Sequence, residues 1–589
     1  MKLFSEIRRR QVIQGAIAYG IVGWLLIQLA IALEASLELP PYVDRWVTIG
    51  VIGGFPVAIL LAWLFDISLS GMRLTSETDQ AATETETTIE AKEPPPKHSI
   101  AILPFADMSP DGDQEYLGDG VAEEILNALV KVTELRVTGR TSSFAYKGQN
   151  LDIREIGESL NVAHVLEGSV RRQGDRVRIT AQLIQTDNGF HLWSETYDGD
   201  LKDIFDLQDT ISKQIVSELE ILLDAEGARL ATNLTSSPEA YDAFLRGREL
   251  FHKLVGDETL PQAIKFFERA VELDPKFADA WAHLALSHLN LPELVDTDDP
   301  SRHYSAAEIA IERAQAINTE SALVERAIGL ILCVKRDFFG AVQAYERSYK
   351  LDPDNPFISF GFAYAMASIG LHEKALELFK KTEASDPSAP YVPQWLAMLH
   401  FSKSDWQTAI FYYQKADKLG YVPARASAAF AEAERGRIRE AYAWMRNYMK
   451  DAPTWFRDRL KSPLARHVYY AAALKKTPFY RWLVGRATLA RLKKTNNNPT
   501  IWDPLVLLEF CGPEHYFEFI RKTPLAYGLT PIVYLFYETR SSRAARAHKD
   551  FPQFAEDIGL VKIWQTYGWP EQVQPNPGTD GSNLQFTVS

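Results

Sequence analysis

A repeated string constrains this chain more than any other feature. Ala263 to Pro275 reads AIKFFERAVELDP, and Ala341 to Pro353 reads AVQAYERSYKLDP. A third copy starts at Ala375 and ends at Asp386-Pro387, and weaker copies start at Ala307, Ala409 and Ala441. The starts at 307, 341, 375 and 409 are each 34 residues apart, the period of a helix–turn–helix unit. The interval from 263 to 307 is 44 residues, so an inserted loop is expected, at Leu291 to Pro300. Each unit pairs two antiparallel helices. A small residue opening the second helix (Ala263, Ala307, Ala341, Ala375, Ala409, Ala441) lets the first helix approach. Trp281, Phe360 and Trp395 are candidate large partners. Proline after the second helix (Pro275, Pro353, Pro387, Pro453) stops it. One unit cannot bury its apolar face alone, so units over 236–453 should stack into a superhelix with a concave groove. Such a groove points to a protein or peptide ligand, with a spacer or dimerisation rod as the bland alternative.

The segment ahead of the repeats reads differently. Ser99 to Phe105 is a short apolar strand, and Tyr116 to Val132 has helical periodicity with Val121, Ile125 and Leu129 on one face. Leu135 to Thr138 is a second strand and Leu151 to Leu160 a short helix. His164 to Arg172 and Arg176 to Gln185 flank the turn Gln173-Gly174-Asp175. Val177, Ile179, Ala181 and Leu183 alternate with polar residues, as on a half-buried strand. A strand from His191 to Tyr197 and a helix from Ile204 to about Leu223 follow. The order β-α-β-α-β-β-β-α over 98–226 is an α+β domain.

Two uncharged runs, 11–33 and 46–65, are each long enough to cross a bilayer as a helix. Arg8, Arg9 and Arg10 precede the first, whereas the intervening loop has only Arg45. Basic residues favour the cytoplasmic side, so two spans would leave the N-terminus and everything after the anchor (1–74) in the cytoplasm. The pairs Gly50/Gly54 and Ala16/Gly20 offer a small-residue contact for a homodimer. Residues 75–97, rich in Thr and Glu and ending in three prolines, read as a disordered tether. Residues 454–575 are expected to be helical and to cap the open end of the superhelix. Residues 576–589 are expected to be disordered.

Ile102 to Phe105, Gly118 to Ile125 and Val165 to Arg171 together resemble the amino-terminal domain of the Tol-system protein TolB and the related flagellar protein FlgO. With the arm Phe4 to Arg10, the run Trp24 to Gln28, Arg140 to Phe144 and the string from Val177 through Trp193, the chain resembles membrane-anchored proteins that join such a domain to tetratricopeptide repeats. The resemblance implies placement in a bacterial inner membrane. Some relatives carry a nucleotidyl cyclase or winged-helix DNA-binding domain ahead of the membrane segment. With ten residues before the first apolar run, neither is expected here.

A net charge of −14 argues against a general nucleic-acid binder. Cys333 and Cys511 are far apart in sequence and make no metal spacing. No phosphate loop, HExxH, GxSxG or EF-hand motif occurs. Gly118-Asp119-Gly120 could receive an anion at a helix start, but reads more simply as a turn and cap. Asp119, Glu123 and Glu124 read as favourable charges at that helix's N-terminus, and Thr141 to Ser143 as a helix cap. His283 and His288 are five apart, off a common helix face, and read as packing or surface residues. No catalytic, cofactor or metal residue is assigned, and no cofactor is expected. The sequence therefore points to a membrane-anchored adaptor or signalling scaffold. A non-catalytic regulatory subunit of a cyclase or transcriptional system, and an enzyme with an unrecognised site in the α+β domain, stand as alternatives.

Overall fold

The computed structural model describes residues 65–68, 71–74, 95–575 and 586–588, with interruptions chiefly at 222–233, 254–258, 295–298, within 453–476, 495–502 and 523–527. Contacts divide the chain into Met1–Pro94 and Pro95–Ser589. In the first unit the described residues form a hairpin, β1 (Phe65–Ser68) against β2 (Gly71–Leu74), with Phe65 opposite Leu74.

This corrects the expectation of two membrane-crossing helices. Among the described residues no helix is long and apolar enough to cross a membrane. Phe65, expected to end the second span, begins a strand instead. The longest described helix, Pro300–Ile317, has 18 residues and carries Arg302, Glu308, Glu312 and Arg313, which a bilayer core would accept only at high cost. Residues 11–33 and 46–64, Arg8, Arg9 and Arg10, and linker residues 75–94 lie outside the described residues. The inner-membrane placement rested on those spans and is withdrawn with them.

In the second unit, β3 (Ser99–Ile102) forms because Ile100, Ala101 and Ile102 are apolar in succession, and all three are fully buried. It pairs in parallel with β5 (Arg136–Val137) and β6 (His164–Gln173). From β6 the sheet continues as an antiparallel meander through β7 (Arg176–Gln185) and β8 (His191–Asp200). The β6–β7 turn is tight because Gly174 adopts a positive φ of 61°. Along β7, Val177, Ile179, Ala181 and Leu183 face the core while Arg176 and Arg178 are exposed. The strand order is β5-β3-β6-β7-β8, with β4 (Ala106–Asp107) beside β6. Helices α1 (Glu115–Val130) and α4 (Ile204–Glu218) pack together over this sheet, and α3 spans Ile153–Leu160. Three elements exceed the expected order: β4, the five-residue α2 (Arg140–Phe144) and a 3-10 turn at Leu201–Asp203. All are too short to show periodicity.

Six antiparallel helix pairs follow among the described residues: α5/α6 (Pro238–Lys253, Thr259–Leu273), α7/α8 (Ala278–Leu294, Pro300–Ile317), α9/α10 (Ala322–Val334, Phe338–Leu351), α11/α12 (Pro356–Ser368, His372–Ser385), α13/α14 (Tyr391–Ser402, Trp406–Lys418) and α15/α16 (Pro423–Glu434, Ile438–Asp451). Ala263, Ala307, Ala341, Ala375, Ala409 and Ala441 each lie in the first half of a second helix and are fully buried. Pro275, Pro353 and Pro387 each sit two residues beyond a second helix; Pro453 lies outside the described residues. The expected inserted loop is partly helical, since α7 runs through Pro292 to Leu294. Pro292 sits in its last turn, where the helix is nearly complete. The turns inside successive pairs place Arg336, Gly370 and Ser404, again 34 residues apart, at positive φ of 65°, 88° and 60°. At Gly370 a side chain would also strike Phe536.

The C-terminal region does two things. Leu460, Ala473 and Leu474 close a small core with the last pair, against Ala426, Ala441 and Met445. Residues 503–575, expected only to cap that end, instead return along the superhelix. The indole of Trp564 donates to the Ile369 carbonyl at 2.9 Å, and Tyr567 Oη to Glu346 at 2.7 Å. The Tyr364 hydroxyl accepts from the Leu529 and Thr530 amides. The closing residues Phe586–Val588, expected to be disordered, pair antiparallel with Val573–Pro575.

Ala375 tests the packing. With no exposed surface, its methyl leaves no room for branching, so Ala375→Leu should cost about 1–3 kcal/mol by overpacking. Urea denaturation checks this; an unchanged midpoint would mean the pair can relax apart.

Candidate functional site

The first helix of each pair presents one face inward. Positions 323, 326 and 330 on α9 recur 34 residues later at 357, 360 and 364 on α11, and again at 391, 394 and 398 on α13. All nine line one groove of about 1780 Å³. The spacing of three, then four residues is one stripe of an α-helix, so the period that builds the superhelix also builds the groove wall. Reading across, the wall is Leu323, Arg326 and Leu330, then Phe357, Phe360 and Tyr364, then Tyr391, Gln394 and Met398. Aromatic rings predominate: Phe360 meets Tyr391 edge-on at 4.5 Å and Tyr364 meets Trp395 at 5.0 Å. Phe360 and Trp395, expected as packing partners, thus also face the groove. Trp281 instead bonds the Pro275 carbonyl through its indole at 3.0 Å.

The α+β domain walls part of this groove by gripping the array at two places. One grip is at the first pair. Gly118, Asp119 and Gly120 lie inside α1 rather than in a turn before it, which corrects the sequence reading. Gly118 and Gly120 are glycines for close approach: a Cβ at Gly118 would fall 2.3 Å from the Phe105 carbonyl oxygen, and one at Gly120 would fall 2.5 Å from Leu245 on α5. Asp119, Glu123 and Glu124 are likewise buried along α1, not charges at its open end. Lys147 bonds Asp119 at 2.9 Å. Arg248 on α5 donates to Glu124 at 2.6 Å and lies 3.4 Å from Glu123, while Arg140 donates to Glu123 at 2.7 Å. Burial opposes ionisation of Glu123, but Arg248, Arg140 and His252 together hold its carboxyl well below the usual range. For Glu124 burial prevails over Arg248 and its carboxyl is raised. Next to this cluster, burial among Phe244, Phe251 and Phe267 pushes His283 down to about 4, so it packs as a neutral ring. His288 lies 3.0 Å from His303. Outside the groove, Tyr116 Oη and Arg172 both donate to Asp242 on α5.

The second grip is three repeats away. Asp386, in the turn after α12, accepts from the Ser142 amide at 2.7 Å and from its hydroxyl at 2.5 Å. The Ser142 Oγ in turn accepts from the Ser388 amide at 2.7 Å, and the Gly139 amide donates to the Ser385 carbonyl at 2.6 Å. Ser142 was expected to cap a helix, but α2 has no side-chain cap. Asp386 belongs to the repeated Asp-Pro, whose other copies do not reach the α+β domain: Asp274 accepts from the Lys276 amide and from the Thr235 hydroxyl, and Asp352 accepts from Asn355. Nothing in the repeat pattern distinguishes the copy that docks the domain. Among the described residues no group of three or more His, Cys, Asp or Glu is placed to hold a metal ion. Cys333 is buried and Cys511 half-buried, both as free thiols.

Stacked helix pairs, a continuous inner stripe and a docked sheet domain define a tetratricopeptide-like superhelix joined to a small α+β domain. Residues 96–214 match the family described as the HilA/YgeH-like transcriptional regulator, second domain; this match does not itself show the TolB-like relationship expected from sequence. A Rhizobium meliloti (strain 1021) protein provisionally named adenylate cyclase 3 is 41% identical over 244 residues, covering 37% of this chain; the match spans 41% of that protein's length. Among solved structures, Pseudomonas aeruginosa PilF is 18% identical, covering 36% of this chain and 94% of its own, with a TM-score of 0.28. PilW, a type IV pilus biogenesis factor, is 17% identical, covering 39% and 98%, with a TM-score of 0.30.

Proposed function

We propose that this chain is a non-catalytic, protein-binding regulatory adaptor that holds an extended segment of a partner protein in its groove. The observation that carries the reading is the inner stripe: on the first helices of three successive repeats the same three positions hold seven apolar or aromatic side chains together with Arg326 and Gln394, beside walls supplied by two non-repeat regions. An elongated apolar wall with sparse polar groups suits a peptide, whose side chains would fall into successive repeats. The likeness to a regulator's domain and to a cyclase favours a regulatory version, in which the partner is a separate effector rather than a site within this chain.

Hydrogen exchange on the full chain provides the test. Peptides selected from a random display library should protect amides of α9, α11 and α13 on binding. Protection confined to other elements, or a library that yields no binder, would remove the groove reading. Purified chain given ATP should form no cyclic AMP; turnover would remove the non-catalytic one.

A further inference from the structure

We propose that the outer stripe of one C-terminal helix, α17 (Pro478–Lys494), is a second docking surface, separate from the groove, for an acidic amphipathic helix of a partner protein. Phe479, Trp482 and Leu483 are 62%, 54% and 37% exposed. They are three of the eleven large hydrophobic side chains left exposed among the described residues, and their spacing puts them on one helix face. Single exposed apolar residues are ordinary; neighbours on one face form a patch. The face continues through exposed Arg486, Ala487, Ala490 and Lys493, so the stripe from 479 to 493 is about 21 Å long at the helical rise.

The opposite face fixes the helix. Gly485 is buried where a Cβ would fall 2.8 Å from the Cys511 sulfur, and Leu492 is buried too. Arg481 donates to Glu509 at 2.9 Å and lines the groove, while Arg491 pairs with Asp503. The outward rings join none of the buried clusters among the described residues. Phe479 and Trp482 stack with centroids 6.2 Å apart, and the Arg486 guanidinium lies 5.6 Å over Trp482. The result is an aromatic platform edged by a cation.

Charge selects the occupant. α17 carries five cations and no acid, in a chain of net charge −14. Arg486 and Lys493, the exposed ones, have no salt bridge among the described residues. A second copy of the stripe would set cation against cation. An anionic bilayer is a plane many helices wide, and exposed Glu518, close enough to Lys493 to respond to its charge, would oppose it. One acidic helix fits the stripe's width. Ala487 and Ala490 let its axis approach to the roughly 8–10 Å of ordinary helix packing. Its apolar seam would lie on the rings and its flanking Asp or Glu beside Arg486 and Lys493.

The test is a display library of helices about four turns long, matched to the stripe, panned on the full chain. Leucine is fixed along one seam, and flanking positions are drawn equally from Glu, Gln and Lys. Selected peptides should be rich in flanking Glu and should protect the amides of 478–494 from hydrogen exchange. Changing those Glu to Gln should weaken Kd roughly tenfold, the size expected of two partly exposed ion pairs. Trp482→Ala should weaken binding on the order of thirtyfold, while peptides that protect α9, α11 and α13 keep their affinity and report an intact fold. Lys-rich or unbiased flanks, protection away from 478–494, or no binder at all would overturn the docking surface. Binding to phosphatidylglycerol vesicles that is lost in Trp482→Ala would give the stripe to a bilayer and overturn it equally. The groove reading survives each of these outcomes. The Glu-to-Gln exchange is made in the peptide, so it decides on the unaltered protein.

Discussion

Arg248→Ala destabilises the protein by about 3–5 kcal/mol, the cost of leaving buried charges without their partner. Its side chain is 6% exposed, and the two carboxylates it serves, Glu123 and Glu124, are 12% and 9% exposed. Arg140 and partly exposed His252 remain near Glu123, but no second cation bonds Glu124 among the described residues. The sign with pH follows from Glu123, whose carboxyl is depressed below the ordinary 4.5. Its stabilising contribution is complete above about pH 4.5 and fades as pH falls through the lower folded value. Glu124, raised by burial, acts oppositely and offsets part of this. Arg248→Ala should therefore be most damaging near neutral pH and converge on wild type in acid. Replacing all three, as Arg248→Met, Glu123→Gln and Glu124→Gln, should recover much of the loss, because the cost comes from unpaired charge rather than a lost contact. Urea denaturation followed by hydrogen exchange in α1 and α5 gives both numbers. A single-variant loss under about 1 kcal/mol would show that water reaches Glu124 at the junction.

The same junction shows where sequence reasoning stops. The array was legible because a 34-residue period forces equivalent residues to equivalent places. The inner stripe was legible in principle: 326, 360 and 394 follow from the same period, and an arginine among phenylalanine and glutamine stands out once aligned. Long-range pairings left no such trace. Glu123 and Glu124 looked like helix-end charges because Arg248 lies 124 residues from Glu124 in the chain. Ser142 looked like a cap because Asp386 lies 244 residues away. The glycines at 118 and 120 looked like a turn because a glycine chosen for close approach has the same letter as one chosen for positive φ. The apolar runs near the N-terminus made length and hydropathy seem decisive, yet Phe65 pairs as a strand; hydropathy alone does not fix secondary structure.

Trp564→Ala should cost about 3–5 kcal/mol and release the returning C-terminal segment. The side chain has no exposed surface and packs against Phe536 and Trp569, with ring centroids at 6.2 and 5.4 Å. Its indole also satisfies the Ile369 carbonyl at the end of α11, where a helix leaves acceptors unpaired. The two contributions separate. Trp564→Phe keeps most of the apolar ring and loses the donor, so it should cost about 1–2 kcal/mol. The difference between the variants is the packing share. Position matters beyond stability, because residues of this returning segment, Thr530, Tyr534 and Tyr537, line the groove beside the inner stripe. Loss of Trp564 should therefore speed hydrogen exchange in 529–567 before it speeds exchange in α13 or α14, and weaken groove ligands with it. Exchange that rises uniformly through the superhelix would mean the segment is not a separable wall but part of one cooperative core, as the shared burial of Phe362, Trp395 and Trp564 in a single cluster would then require.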